Sequence, residues 1–334
     1  MERIKILQNQ EKFATALYRR HAITLKEVLE QKKVPAFIIN MRRNGFIAGF
    51  LMFLFDGSFN VVVTIGHRTA MIYGLLSRLL SKKNKIHIAK EFFFEENQSV
   101  SFFKKYIFKK VYLFAFKNLS AVVVNSTGEI RPYSMELELP ENLFHFIAWP
   151  SNNNDPSIIG GEGNYFLAAG RSLRDWKTFF EAIEHLEFKF AIVASRQDIQ
   201  GIQIPANVRV YTDLPYNDYK DLLKKAAYVV VPLRETQRST GQSVFLDAMA
   251  LGKPVIIAKV TGALDYIEDG VNGLFYTPGD PADLREKIIR LANDPALQDR
   301  LSINGFRLIE TKFNKGQHAA QMIELISGLL NTGV

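Results

Sequence analysis

The stretch from Ser239 to Ala258, STGQSVFLDAMALGKPVIIA, contains a turn, a helix and a strand. Ser-Thr-Gly-Gln is a small polar turn, Val244 to Leu251 predicts a short apolar helix, and Val255 to Ile257 predicts a buried strand. A glycine turn that opens a helix gathers unpaired N–H groups at the positive end of the helix dipole, which suits a phosphate. On spacing alone, an ordinary loop–helix–strand unit of an α/β domain is the simpler interpretation.

Length and composition indicate two packed domains. The chain has 334 residues, of which 47% are hydrophobic, so it can bury more than one core. The absence of cysteine excludes disulfides, thiolate metal sites and a cysteine nucleophile, and it fits a reducing compartment. The N-terminus has no apolar signal core, and the longest apolar run, Phe46 to Phe55, is too short to span a bilayer. We therefore expect a cytoplasmic protein.

The net positive charge lies in the first half of the chain. Residues 1–150 contain 22 of the 42 Lys and Arg residues but only 12 of the 34 Asp and Glu residues. The same half holds 17 of the 26 phenylalanines. A basic, Phe-rich half joined to a nearly neutral half predicts that one domain meets an anionic surface.

Short apolar strands alternate with helical segments along the whole chain, which predicts parallel sheets. In the first half we expect strands at 4–7, 34–40, 59–65, 85–89, 121–125 and 144–148, with helices that include 14–31 and 69–80. In the second half we expect strands at 165–168, 190–194, 208–211, 228–231 and 255–257, with helices at 179–186, 219–226, 244–251, 281–291 and 314–330. Proline, asparagine and serine crowd residues 149–156, which we interpret as the linker.

The segment Asp247 to Val255, DAMALGKPV, resembles the signature of retaining nucleotide-sugar glycosyltransferases of the GT-B fold, family 4 type. Asp247 replaces the usual Glu, and Ser239 stands where the first acid of the pair is expected; Glu235 is an acid that could take its place. The resemblance implies an α/β fold with two Rossmann-like, doubly wound parallel-sheet domains facing a cleft. It places the acceptor domain at 1–150, the donor domain at 151–315, and a helix at 316–334 that packs back on the acceptor domain.

The resemblance also implies a donor site in the second domain. Arg171, with Arg174 or Lys177 as the second cation, would bind the donor diphosphate and stabilise the charge that develops on it. Asp247 would hold the ribose, and the loop around Leu214 would bracket the base. The remaining expected donor contacts are Gly170, Ser239, Thr240, Gly241, Gln242 and Ser243.

Polar residues at predicted strand ends in the first domain are candidates for the acceptor side. His67 follows the strand at 59–65, and ligands bind at the carboxyl ends of parallel strands; a surface histidine at a helix start is the alternative. Glu91 and Ser126 follow the next two strands, and an exposed loop acid is the simpler interpretation of Glu91. Among these candidates we assign catalytic roles to His67, Arg171 and Lys177.

The segment 102–116, FFKKYIFKKVYLFAF, admits two interpretations. One is an interfacial helix whose aromatic residues enter the headgroup layer while Lys104, Lys105, Lys109 and Lys110 contact anionic lipid. The other is a core helix with a solvated lysine face. Nucleic acid would also attract basic and aromatic residues, but no nucleic-acid motif accompanies them.

These observations together predict a glycosyltransferase that moves a sugar, with retention, from a nucleotide-sugar to a hydroxyl acceptor. The expected donor is a UDP- or GDP-sugar, with no cofactor and no metal, because no Asp-x-Asp motif or histidine pair occurs. The expected acceptor is a lipid or lipid-linked glycan at the inner face of the cell membrane. A soluble or polysaccharide acceptor, and a non-catalytic GT-B relic that acts as a binding protein, remain alternatives.

Overall fold

The computed structural model divides the chain into two compact units. It describes residues 4–10, 15–80, 85–91, 102–160, 163–171 and 173–332, without the side chains of 102–106 and 108. One unit contains residues 1–148 together with 318–334, and the other contains residues 149–317.

A parallel sheet forms the centre of the first unit. Its strands, within the described residues, are β1 (Ile6–Gln8), β2 (Ala22–Thr24), β3 (Val61–Ile65), β4 (Ile86–Lys90), β5 (Ala121–Val124) and β6 (Phe144–Phe146). They lie in the order β2-β1-β3-β4-β5-β6, and every neighbouring pair is parallel. The carboxyl ends of the strands therefore share one edge, and the strand order reverses between β1 and β3. Open α/β sheets bind ligands at such a reversal.

Helices cover the faces of this sheet. Those that precede residue 149 are α1 (Ala16–Arg19), α2 (Leu25–Gln31), α3 (Ala36–Met41), α4 (Gly45–Phe55), α5 (His67–Leu79), α6 (Phe102–Phe116) and α7 (Ile130–Leu137). Leu7 and Val62 point into a core shared with α2, α4 and α5, whereas Ile6 and Val61 point into a core on the other face. This alternation is what a buried strand produces, because successive side chains face opposite sides.

Two expected elements of the first unit are wrong. The single helix expected at 14–31 is interrupted by β2, because Thr24 ends that strand and caps α2 in a capping box with Glu27. The strand expected at 34–40 is the helix α3. Pro35 is the N-cap residue of this helix, and its carbonyl oxygen accepts hydrogen bonds from the N–H groups of Ile38 and Ile39.

The second unit also contains a parallel sheet. Its described strands are β7 (Phe166–Ala169), β8 (Phe190–Ala194), β9 (Val208–Thr212), β10 (Tyr228–Val231), β11 (Val255–Ala258) and β12 (Leu274–Tyr276). Their order is β12-β11-β10-β7-β8-β9, and again the neighbours are parallel. The order reverses between β7 and β10. The expected fold class, α/β with two Rossmann-like parallel-sheet domains, is confirmed.

The helices that follow the linker are α8 (Trp176–Ile183), α9 (Tyr216–Lys225), α10 (Gln242–Met249), α11 (Pro281–Asn293), α12 (Pro295–Thr311) and α13 (Lys315–Asn331). From His318 onward α13 belongs to the first unit. There Ala319, Met322 and Ile326 join the core on the face that Ile6 lines.

Candidate active site

A pocket of about 290 Å³ opens at the carboxyl edge of the second sheet. Its walls come from the ends of β7 and β8, the loop after β9, and the first turns of α9 and α10. The lining residues are Ala169, Gly170, Arg171, Val193, Ala194, Asp213, Leu214, Tyr216, Tyr219 and Val244. The pocket therefore lies beside the strand reversal of this sheet, where a ligand is expected. Gly170, Arg171 and Leu214 are sequence-predicted residues that meet there.

Arg174 lies buried beside Gly170. Its Nε donates a 2.8 Å hydrogen bond to the carbonyl oxygen of Ala169, and burial lowers its pKa to about 10, so the guanidinium stays charged at neutral pH. Gly170 has a φ of +138°, and a Cβ at this position would clash with the Arg174 guanidinium. Only glycine therefore fits this turn without strain.

The structure separates the two candidates for the second cation. Arg174 forms an antiparallel bridge with Leu233, which follows β10, and this draws it towards the sheet. Lys177 lies on the surface of α8 with 79% of its side chain exposed, 3.9 Å from Glu181 in an i,i+4 ion pair, and it is absent from the pocket wall. Arg171 is exposed and lines the pocket.

The turn at 239–243 leads into α10. Gly241 precedes the helix with a φ of +91°, and a Cβ there would lie 3.0 Å from a Leu233 methyl group. The side chains of Ser239, Thr240 and Gln242 are buried, whereas Ser243 is exposed. Gln242 Nε2 donates a 3.0 Å hydrogen bond to the Gly262 carbonyl oxygen, which fixes the turn against residues 261–263. The backbone N–H groups of the first turn of α10 and the Ser243 side chain are the groups this turn can offer a ligand.

Asp247 has protein partners that the sequence did not predict. Its Oδ1 accepts hydrogen bonds from Ser151 Oγ at 2.8 Å and from the Asn152 N–H at 2.7 Å, and its Oδ2 accepts a weaker one from Asn152 Nδ2 at 3.4 Å. Burial raises the pKa of this carboxyl, although these hydrogen bonds act in the opposite direction. Asp247 thus fixes the chain where the second unit begins.

Two tyrosines of α9 complete the pocket wall and were missed by the sequence analysis. Burial raises the pKa of Tyr216 and of Tyr219, and the negative charge of Asp247 raises both further, so Asp247 acts electrostatically on the pocket. The buried Tyr219 hydroxyl makes no hydrogen bond within the described residues. Their position in the sequence, just after the loop expected to hold the base, could have indicated that both tyrosines lie at the site.

Glu235 and Ser239 differ in accessibility. Ser239 is 5% exposed, so its side chain packs inside the unit. Glu235 is exposed on the loop after β10, where its Oε1 accepts hydrogen bonds from the Thr236 N–H at 3.3 Å and from Thr261 Oγ1 at 3.5 Å. Glu235, the acid nearest to Ser239 in sequence, is therefore hydrogen-bonded to its own loop and to the turn at residues 261–263, which packs on Ser239.

The acceptor-side candidates follow three adjacent strands of the first sheet. His67 begins α5 after β3, at the strand reversal, and its ring centroid lies 6.1 Å from that of Tyr112. Glu91 follows β4 with a φ of +50°. Ser126 is fully buried and its Oγ accepts a hydrogen bond from the Gly128 N–H, so its side chain caps a turn.

The described half of α6 is buried on one face, while Ile107 and Phe114 are 46% and 39% exposed. Ala115 and Phe116 are buried in a cluster with β5 and α7, while Lys109 and Lys110 face solvent. Lys109 Nζ lies 4.0 Å from Glu138. The side chains of Lys104 and Lys105 lie outside the described residues.

Two further features of the described chain bear on the site. No group of three His, Asp or Glu side chains within it is arranged to hold a metal ion. None of the described helices combines the length and the apolar character needed to span a membrane.

Solved structures show that this fold occurs in other proteins. HepE from Anabaena, in complex with UDP-glucose, superposes with a TM-score of 0.70 at 15% identity, over 97% of this chain and all of that one. Sucrose-phosphate synthase from Thermosynechococcus elongatus superposes with a TM-score of 0.68 at 17% identity, over 86% of this chain and 78% of that one. These superpositions confirm the expected GT-B fold.

Sequence relatives include several glycosyltransferases. Residues 166–308 match the family model described as Glycosyl transferases group 1. The capsular polysaccharide biosynthesis glycosyltransferase CapM of Staphylococcus aureus is 22% identical over 86% of this chain and 84% of its own length. The uncharacterized glycosyltransferase MJ1178 of Methanocaldococcus jannaschii is 28% identical over half of each chain.

Proposed function

We propose that this chain transfers a sugar from a nucleotide-sugar donor to a hydroxyl acceptor. The observation that carries the proposal is the pocket at the strand reversal of the second sheet, where Arg171 stands beside the glycine turn of Gly170. The match of residues 166–308 to the group 1 family covers the strands and helices that build this pocket.

The donor diphosphate would lie between Arg171 and the first turn of α10. Arg171 supplies an exposed guanidinium, and the helix N-terminus supplies backbone N–H groups. The buried charge of Arg174 acts through Gly170, against which it packs. These groups stabilise the charge that builds on the leaving phosphate without a metal ion, which is the role that sequence analysis gave to a second cation. Neither Arg174 nor Lys177 lines the pocket, but Arg174 packs against Gly170, which does, whereas Lys177 is exposed on α8; we now assign that role to Arg174.

The nucleoside would occupy the other end of the pocket. The loop at Leu214 and the ring of Tyr216 offer apolar surface to a base. Asp247 Oδ2, which accepts a 3.4 Å hydrogen bond from Asn152 Nδ2, would also accept one from a ribose hydroxyl. We propose a UDP-sugar as the first donor to test, since HepE has been solved with UDP and with UDP-glucose; a GDP-sugar is the alternative.

We propose a reaction with retention of configuration. The acceptor hydroxyl oxygen forms the new bond to the anomeric carbon while the bond to the donor phosphate breaks. The hydroxyl proton passes to an oxygen of the leaving phosphate, so no protein base is needed for that step. His67, Glu91 and the strand ends around them form the acceptor edge of the first sheet, and His67 is the group there that would orient a hydroxyl.

The proposed acceptor is a lipid or lipid-linked glycan, with the enzyme peripheral on the inner face of the cell membrane. The basic excess of residues 1–150 supports this choice. A polysaccharide acceptor is the second candidate, and the name of CapM, a capsular polysaccharide biosynthesis enzyme, supports it. A relic that only binds nucleotide is the third.

A donor panel tests the proposal. Purified protein would be screened for thermal stabilisation by UDP-, GDP-, ADP- and dTDP-sugars, followed by an assay for release of the nucleotide. We expect one donor class to stabilise the wild type and Lys177→Ala, and to leave Arg171→Ala unshifted, because only Arg171 lines the pocket. Binding without release in the presence of lipid and glycan extracts would favour the relic, and a folded protein that binds no donor would overturn the proposal.

A further inference from the structure

The helix α4 is apolar on every side but is covered on only one. Its eleven residues, GFIAGFLMFLF, include no polar side chain. Ala48, Leu51 and Met52 are buried in the core with α2 and α5. A helix that is hydrophobic all round normally lies inside a protein or in contact with lipid.

The outer face of α4 carries three exposed apolar residues, spaced four positions apart. Phe46, Phe50 and Leu54 are 39%, 48% and 52% exposed. Their i, i+4, i+8 spacing keeps them within about 80° around the helix axis, so they form one ridge. The preceding helix α3 also exposes two apolar side chains, Phe37 and Met41, at 66% and 47%. The five exposed residues of these two helices are called the apolar ridge below.

The chain around the apolar ridge carries positive charge without exposed negative charge. From Gln31 to Lys90 the sequence has ten Lys and Arg residues and one acid, Asp56. Asp56 is fully buried and accepts a hydrogen bond from the Tyr73 hydroxyl at 2.9 Å, with Lys85 Nζ 3.7 Å from its carboxylate. Sixty consecutive residues therefore offer no carboxylate to the surface, which favours an anionic partner.

The apolar ridge starts next to the proposed acceptor edge. The start of α4 packs on the start of α5, since a Cβ at Gly45 would lie 3.0 Å from that of Arg68, and one at Gly49 would lie 2.7 Å from the Thr69 carbonyl oxygen. The Arg68 guanidinium lies 5.6 Å from the centre of the Phe46 ring. His67 is the residue before Arg68, so the ridge and the acceptor edge share one end of the first unit.

We infer that the apolar ridge inserts into the interface of an anionic phospholipid bilayer and is the membrane-docking surface of this protein. An eleven-residue helix is about 16 Å long, too short to cross a bilayer, so α4 would lie in the interface plane. Arg43 and Arg68 flank it at headgroup level. Docking at this surface would bring a lipid acceptor to the acceptor edge, and in this respect the inference rests on the proposed function. Membrane binding itself does not depend on catalysis and can be measured separately. The inference also assigns docking to α3 and α4 rather than to α6, whose described half exposes only Ile107 and Phe114 among its large apolar residues, with the Arg78 guanidinium 4.4 Å from the centre of the Phe114 ring.

Vesicle co-sedimentation of the full chain tests this inference. The vesicles would contain phosphatidylcholine alone or phosphatidylcholine with about a third phosphatidylglycerol. We expect wild-type protein to pellet with the anionic vesicles, and Phe37→Ser/Phe50→Ser/Leu54→Ser to bind at least about tenfold more weakly, because three apolar side chains leave the interface. The matched control is Met135→Ser/Ile289→Ser/Ile303→Ser, which removes three equally exposed apolar residues elsewhere and should bind as wild type.

Further variants separate the remaining outcomes. Arg43→Glu should weaken binding to the anionic vesicles, whereas Lys109→Glu/Lys110→Glu should reduce it less. Loss of binding in the lysine variant with normal binding in the ridge variant would overturn the inference in favour of α6. A further outcome is that wild type does not bind vesicles but forms concentration-dependent dimers, which the ridge variant abolishes. That result would identify a second copy of the chain as the partner and would also overturn the inference. Donor binding and thermal unfolding of each variant confirm the fold independently of lipid, so failure here is distinguishable from failure of the proposed function.

Discussion

Asp247 Oδ1 accepts a 2.8 Å hydrogen bond from Ser151 Oγ, which joins the middle of α10 to the segment that enters the second unit. The two residues are 96 positions apart, and the bond is buried. The same oxygen accepts the Asn152 N–H. A residue that the family signature associates with ribose therefore also anchors the start of its own domain.

Removing this acceptor should destabilise the second unit. In Asp247→Ala the Ser151 hydroxyl and the Asn152 N–H would be buried without a partner, which costs about 1–3 kcal/mol. Asp247→Asn keeps an oxygen acceptor and should lose less stability. Chemical denaturation would measure both changes, with Asp221→Ala, an exposed acid on α9, as the control that should stay near wild type. Wild-type stability of Asp247→Ala would contradict an anchoring role.

Gly170 should tolerate no side chain. In Gly170→Ala the new Cβ would meet the Arg174 guanidinium at a positive φ, so either the turn or the buried arginine must move. We expect a loss of about 1–3 kcal/mol and donor binding reduced at least about tenfold. Gly160→Ala, where a Cβ would meet nothing within 4 Å, is the matched control. Unchanged donor affinity in Gly170→Ala, measured by calorimetry, would show that this turn does not contact the donor.

Replacing Ser239 with the acid that the family signature has at this position should destabilise the protein. Ser239 is 5% exposed and packs against the turn at Gly262, so Ser239→Glu would place a carboxylate in a buried site and cost more than about 2 kcal/mol. Ser243→Glu puts the same group on an exposed first-turn position, where the helix dipole stabilises it, but it would repel a donor phosphate.

Thermal unfolding and donor titration separate these two effects. We expect Ser239→Glu to unfold at a lower temperature, and Ser243→Glu to unfold near wild type while binding donor more weakly. If Ser239→Glu instead kept its stability and gained transfer activity, the buried packing of this turn would not govern the site.

The strands of both sheets were largely predictable from the sequence, because buried parallel strands are continuous apolar runs bounded by turn residues. Phe190 to Ala194 and Tyr228 to Val231 are examples in which the expected and observed ends coincide. The segment 34–40 was not predictable in this way. Its β-branched residues suit a strand, but Ile38 and Ile39 are used to pack a short helix on the core of α2 and α4.

The candidate site was predictable in its location but not in the use of each side chain. Arg174 and Lys177 are three residues apart, and spacing could not choose between them. The two side chains differ in burial, and the bridge between Arg174 and Leu233 that accompanies the burial of Arg174 joins distant parts of the chain. The same limit applies to Asp247 and Ser151, since neither residue carries a local signal of its partner.

Acid should unfold the first unit through its buried histidines. Burial lowers the pKa of His87 to about 3, and His87 contacts Thr64 Oγ1 at 2.9 Å; burial, with the charge of Lys90, also lowers the pKa of His318. In the unfolded chain a histidine has a pKa near 6.5, so below that pH it binds a proton that the buried histidine of the folded state does not bind. The stability from neutral burial is therefore complete above about pH 6.5 and is lost as the pH falls from there towards about 3.

Each such histidine should lower the free energy of unfolding by about 1.4 kcal/mol per pH unit across that window. Urea unfolding at pH 7, 6 and 5 would measure the slope in wild type and in His87→Phe, which keeps a ring beside Tyr73 but cannot titrate. We expect a shallower slope in His87→Phe and an unchanged slope in His185→Asn, because the His185 side chain is 87% exposed and is not buried on folding. Equal slopes in wild type and His87→Phe would mean that His87 takes up its proton in the folded unit, and that the interior of the first sheet admits a charge.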